Sequence, residues 1–473
     1  MSIAIDTELT VVQQLAALAF GVSESGLSKD LREDVARRVL DLLGNSVAAR
    51  DETPAKAVTA VVKNWGGHEF ATGIGTGAKF PAAAAALVNG TLAHSMDSDD
   101  THLPSVLHPS ASVIPAALAV AEAIGASAEA MLDASGVGIE VAVRLGMGGY
   151  DEELGNSEFF ERGLHATSIC GAIGAAVAAA MVYRLTADQI AHAAGIAASM
   201  GAGLIEANRT GGTVKRAHCG WAAHSGVSAA ELAKNGLTGP PTVIEGRFGF
   251  LYAYCGERSN AAAVVDRLGE HWELPGVFFK PYPCNHFTHA GIDAALEIRA
   301  QGVLPEQIES IELGVSGPIL RTIAQPVEEK ARPRSGYHAA FSGPYTVAAA
   351  LSGGSGLGVG HHDFTDEAAQ DEQRLALAAK VTCVEDERCN KIYPYQFPAV
   401  LRVVTTDGSR HEVRVDFNRG GPGNPLSAEE LIIKFKLNAD SKLGAEQASI
   451  IAEQAIALAH GGSLTELMNQ LRG

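Results

Sequence analysis

His94, His102 and His108 place three imidazoles, and Asp97, Asp99 and Asp100 three carboxylates, within fifteen residues, with the Thr101 hydroxyl among them. Imidazoles change charge near neutral pH and carboxylates accept protons or orient them, so the grouping suits general acid–base catalysis. An alanine-rich apolar run precedes the stretch, and another follows His108-Pro109-Ser110. That pattern predicts a polar loop set between buried helices. The competing reading is a solvated loop that merely caps them.

Four further patches put polar groups where apolar packing is expected. His165 precedes an apolar helix, whose first backbone N–H groups favour anions. Gly211-Gly212-Thr213-Val214-Lys215-Arg216-Ala217-His218 joins two glycines to two adjacent cations and reads as an anion clamp, or as a charged surface turn. Lys280 follows Phe278-Phe279 and precedes Pro281-Tyr282-Pro283, where a lysine held against apolar neighbours can bind an anion or simply cover surface. Tyr345 ends Phe341-Ser342-Gly343-Pro344-Tyr345 at a helix start, and Ser342 lies outside any nucleophile elbow. Together these residues suit abstraction of a proton next to a carboxylate, with fixed cations holding the charge that develops.

Other chemistries find little support. Gly73, Gly75 and Gly77 follow no predicted strand, and no phosphate-binding loop occurs. Asp97, Asp99 and Asp100 lack the calcium-loop spacing, and six irregularly spaced cysteines form no zinc pattern, so neither metal nor cofactor is expected. The formal charge of −18, from 54 acidic and 36 basic side chains, opposes nucleic acid and anionic membrane. The N-terminus lacks a basic leader, so a cytoplasmic protein is expected. Residues 166–183 carry no charge, but their alanine and glycine content predicts a buried helix rather than a membrane span.

The elements that must position these groups are mostly helical. In 473 residues, 47% are apolar, only 6% are aromatic and 52 are glycine, which favours close helix packing through small side chains. Leu31, Val35, Val39 and Leu42 recur at helical spacing behind a capping Ser28. Residues 82–88, 115–124, 129–145, 166–183 and 188–201 are further helix candidates. Near-alternating patterns over 308–315, 401–403 and 411–416 read as strands, with helices at 288–300 and 345–351 between them. Ser427 and Glu430 form a capping box for one more helix. The predicted fold is mainly α with an inserted α+β domain: a helical body from 1–277 and 419–473, and an α+β unit over 278–418.

The motifs resemble the MmgE/PrpD family, whose members include 2-methylcitrate dehydratase, cis-aconitate decarboxylase and iminodisuccinate epimerase. The likeness runs through His94-Ser95-Met96-Asp97-Ser98-Asp99-Asp100-Thr101, His108-Pro109-Ser110, His165, Gly212-Thr213-Val214-Lys215, Lys280-Pro281-Tyr282-Pro283, Phe341-Ser342-Gly343-Pro344-Tyr345 and Asn424-Pro425-Leu426-Ser427. The resemblance implies a homodimer with an α+β lid and a cofactor-independent lyase or isomerase site for small di- or tricarboxylates. It implies catalytic roles for His108, His165, Asp97 and Thr101, and substrate binding by Lys215 and Lys280, with Tyr345 near the cleft. His102 stands where the family commonly has Trp, and the 102–107 segment is about one residue longer than in the decarboxylase; His102 is counted with the substrate-binding residues. The leading expectation is a 2-methylcitrate- or citrate-type dehydratase, with decarboxylation of a cis-aconitate-like acid, epimerisation of a dicarboxylate, or polycarboxylate binding without catalysis as alternatives.

Overall fold

A computed structural model describes Ile3 and residues 5–353 and 356–472. The chain is mainly helical with small sheets, and it divides into two compact units, Met1–Phe278 with Asn438–Gly473, and Phe279–Leu437. Each is considered separately.

The first unit is built around the helix Ala166–Val182, in which every residue is buried. Around it pack the helices Ala128–Met147, His218–Lys234 and Pro109–Ile124, with Ala82–His94 against the last two. Small residues allow these helices to come close. A Cβ on Gly174 would lie 2.4 Å from the Gly138 carbonyl oxygen, and one on Gly220 would lie 2.2 Å from that of Leu87. Dispersion contacts between backbones therefore replace the large side chains that the composition lacks. Among the described residues no helix is long and apolar enough to cross a membrane.

Two buried arginines tie down the irregular stretch that leads to Phe278. Arg144 pairs with Glu140 at 2.6 Å and donates to the Val264, Asp266 and His271 carbonyls, while Glu140 accepts from the Glu273 and Leu274 amides. Arg38, on the helix Lys29–Ala48 that Ser28 caps as expected, donates to the Leu274 and Val277 carbonyls. Phe278 then exchanges both backbone hydrogen bonds with Thr101, each 2.8 Å long.

In the second unit four strands lie in the order 381–385, 308–315, 399–405 and 410–415. Residues 308–315 run parallel to 381–385 and antiparallel to 399–405. The helix His289–Ala300 packs on 399–405 and 410–415, and Gly343–Ser352 packs on that helix and on 381–385. The unit continues past residue 418, where the sequence pattern had placed its end. Arg419 bonds to Tyr282, Leu357 and Glu430, and the Gly420 carbonyl accepts from the Phe279 amide, so this segment is part of the unit's own fabric. Ser427 and Glu430 form the expected box at the head of the helix Ala428–Leu443.

Candidate active site

The 82–94 helix ends in His94, and the loop beyond it turns back through Asp97, a non-glycine residue in the left-handed region at φ +52°. A short polar side chain tolerates that conformation best. Asp97 Oδ1 lies 3.5 Å from Lys215 Nζ, so the glycine-rich clamp and the first motif meet in an ion pair.

Asp100 anchors the loop from below. Its carboxylate accepts from Arg38 at 3.0 Å, from Ser110 Oγ at 2.5 Å and from the Ser110 amide at 3.3 Å. Burial pushes Asp100 up to about 6, against the pull of Arg38 and Ser110, so it is ionised at neutral pH. Its backbone carbonyl lies 2.7 Å from His108 Nδ1. A carbonyl only accepts, so His108 carries a proton on Nδ1; in the neutral ring the lone pair is then on Nε2, the form a general base requires. Thr101 Oγ1 lies 3.3 Å from the same Nδ1, and Thr167 Oγ1 accepts from the His108 amide.

His165 caps the buried 166–182 helix, with its amide on the Gly203 carbonyl. Its Nδ1 lies 3.0 Å from His218 Nδ1, so one of the two rings donates there and the other accepts. Burial, followed by the positive fields of Lys215 and His94, holds His165 well below its ordinary value. Burial and the same two neighbours, His94 before Lys215, lower His218 to about 4. Both rings are therefore neutral at pH 7.

His94 is the exception. Burial pulls it down, but the Asp99 carboxylate, 2.7 Å from Nδ1, and the Cys219 sulfur more than offset this and raise it to about 10. The ring of His94 lies 5.3 Å from that of His108 and 5.5 Å from that of His165, and His165 lies 5.1 Å from His218. Four imidazoles thus form a chain, with His94 charged and His165 and His218 neutral, and the Asp97–Lys215 pair lies beside them.

Of the residues anticipated from sequence, Asp97, Thr101, His108, His165 and Lys215 come together in this unit. His102 is buried a few residues away, with Nδ1 2.7 Å from Ser105 Oγ and backbone bonds to Leu107 that close the 102–107 loop. Within that loop Val106 holds φ +54°, a strained position for a β-branched residue. Lys280 and Tyr345 belong to the second unit. Lys280 is buried there, and Tyr345 sits in that unit's core with its hydroxyl donating to the Asp363 carbonyl at 2.7 Å. Sequence reasoning gave no role to Arg38 or Cys219. His94 and His218 were visible as members of their motifs, but nothing local marked their rings as neighbours.

Comparison with known proteins bears on this arrangement. Residues 13–262 match the MmgE/PrpD N-terminal domain and residues 282–458 the MmgE/PrpD C-terminal domain, which together take in most of the chain. The chain belongs to the MmgE/PrpD family. It is 29% identical to cis-aconitate decarboxylase of Mus musculus over 449 residues, covering 92% of this chain and 88% of the relative. The human cis-aconitate decarboxylase is 28% identical over 451 residues, with 92% and 89% covered. The Aspergillus oryzae cis-aconitate decarboxylase-like protein is 25% identical over 473 residues, with 94% of each chain covered. The MmgE/PrpD N-terminal match contains the whole imidazole chain with Asp97, Thr101 and Lys215.

Proposed function

We propose that this protein is a lyase that makes or moves a carbon–carbon double bond in a small tricarboxylate, using imidazoles for proton transfer. The observation that carries this is the chain of four imidazoles, three buried and that of His108 half-buried, with the His108 proton placed on Nδ1 by the Asp100 carbonyl. His108 or His165 transfers the proton at carbon, Lys215 binds a substrate carboxylate, Asp97 holds that lysine and Thr101 steadies His108. In decarboxylation of a cis-aconitate-like acid, loss of CO₂ leaves an allylic carbanion that is delocalised towards a neighbouring carboxylate. A proton delivered from an imidazole then gives the rearranged alkene. The relatives named cis-aconitate decarboxylase, similar over nearly their full length, put this reaction first.

Dehydration of a citrate- or 2-methylcitrate-like hydroxy acid is the second reading. It is favoured by the Nδ1 proton of His108, which in the neutral ring leaves Nε2 to act as a base. Here the imidazole removes the proton next to a carboxylate, and an acid returns one to the departing hydroxyl. The test is NMR of the EDTA-treated protein in D₂O with cis-aconitate, citrate, 2-methylcitrate and small dicarboxylates in turn. Loss of CO₂ with deuterium incorporation supports the first reading, and alkene formation from a hydroxy acid supports the second. Tight tricarboxylate binding with neither turnover nor exchange would reject the lyase assignment.

A further inference from the structure

Cys219 neither binds substrate nor moves a proton in the reactions above, yet it stands at a tightly constructed point. It is the second residue of the 218–234 helix and is fully buried. Its neighbour Gly220 meets the 82–94 helix closely: a Cβ on Gly220 would lie 2.2 Å from the Leu87 carbonyl oxygen, and one on Gly90 would lie 2.7 Å from the Gly220 Cα. That contact fixes the Cys219 backbone against the end of the helix that carries His94. Donor atoms of His94, Asp99 and Cys219 all lie within 4.8 Å of one another, and the three side chains are buried.

A thiolate, an imidazole and a carboxylate form a donor set that selects zinc and similar late first-row cations over magnesium or calcium. Other groupings in the site do not converge in this way: Asp97 is turned to Lys215 and Asp100 to Arg38. Among the described residues, the His94–Asp99–Cys219 group alone brings three such donors together. We propose that His94, Asp99 and Cys219 form a binding site for a thiophilic divalent cation, zinc by preference, with water as a fourth ligand. The exchange balances in charge. One proton leaves the His94 imidazolium and one leaves the Cys219 thiol, while the ion brings two positive charges, so the buried group stays neutral overall. Asp99 Oδ2, now 2.7 Å from Nδ1, would move out by about half an ångström to reach the roughly 3.3 Å edge of a tetrahedral zinc shell. Because the His94 ring neighbours those of His108 and His165, an ion held there removes the imidazolium from the chain and acts as an inhibitor rather than a cofactor.

The test uses the whole chain, reduced and stripped with EDTA, titrated anaerobically with Co²⁺ and followed by absorption. One equivalent should give a near-ultraviolet thiolate-to-cobalt charge-transfer band and the visible intensity of a tetrahedral site, and zinc should displace both. Cys219→Ser should abolish the charge-transfer band while Cys170→Ser, at another buried cysteine, retains it, with folding of each checked by circular dichroism. Asp99→Asn should retain the band but weaken cobalt binding at least tenfold. No band in the wild type, a band that survives Cys219→Ser, or unchanged affinity in Asp99→Asn would overturn the proposal. None of these readouts depends on turnover, so the result stands apart from the lyase assignment.

Discussion

Replacing His102 with glutamine should make the helical unit less sensitive to acid. His102 is buried, and burial together with the nearby Arg38 guanidinium lowers it to about 3, although the Glu273 carboxylate lies 3.8 Å from Nε2. An unfolded imidazole titrates near 6.5, so between those values the unfolded state binds a proton that the folded state refuses. Stability from this residue is complete above 6.5 and is lost as pH falls towards 3. From pH 6 to pH 5 the unfolded ring averages about 0.9 bound proton and the folded ring almost none, which amounts to about 1.2 kcal/mol at 1.36 kcal/mol per proton per pH unit. His165 and His218 act in the same sense and Asp100 in the opposite one, so the quantity to measure is the difference between wild type and His102→Gln. All three tryptophans, Trp65, Trp221 and Trp272, lie in the helical unit, and their fluorescence during urea denaturation reports that unit alone. Denaturation at pH 6 and pH 5 should show the variant losing about 1.2 kcal/mol less than the wild type. An equal loss in the two proteins would refute a buried, neutral His102.

Three substitutions test other links. His108→Ala should lower kcat by about 10² or more on whichever acid turns over, and near-normal turnover would move the proton-transfer role to His165. Lys215→Ala should raise KM far more than Lys29→Ala, which removes an exposed lysine; equal KM values would take Lys215 out of substrate binding. Arg38→Met leaves the Asp100 carboxylate buried without its cation and should cost about 3–5 kcal/mol in the same fluorescence-detected denaturation. A loss under about 1 kcal/mol would mean that the Ser110 bonds alone suffice for Asp100.

Much of the local structure was legible because it depends on neighbours in sequence. Ser28 caps its helix, Ser427 and Glu430 form their box, and the alternation over 308–315 becomes a strand. The uncharged run from Ala166 becomes a fully buried helix, as its small residues indicated. The strand 381–385 escaped notice because its five residues show little alternation, and its place comes from parallel pairing with 308–315, some 70 residues away. The same reasoning applies to the site. The His94–His108 stretch announces itself by composition, whereas Arg38 reaches it from 62 residues upstream of Asp100 and looks like any charged helix residue. The approach of Cys219 to His94 depends on a Gly90–Gly220 contact between helices far apart in sequence. That kind of information resides in tertiary packing and leaves no periodic trace.

The 102–107 loop also bears on how this scaffold could change. Its ends are pinned by the two backbone bonds between His102 and Leu107, and its interior from Leu103 to Val106 contains none of the proposed acid–base groups. The surrounding helices tolerate no added methyl at Gly220, so new specificity is closed to movements of that frame. A directed-evolution library confined to 103–106 would vary the loop that leads into His108 and leave the proposed proton-transfer groups themselves unchanged. Val106→Gly or Val106→Asn, by relieving the positive φ, would give such a library a stability reserve on which less favourable neighbouring substitutions could be accepted.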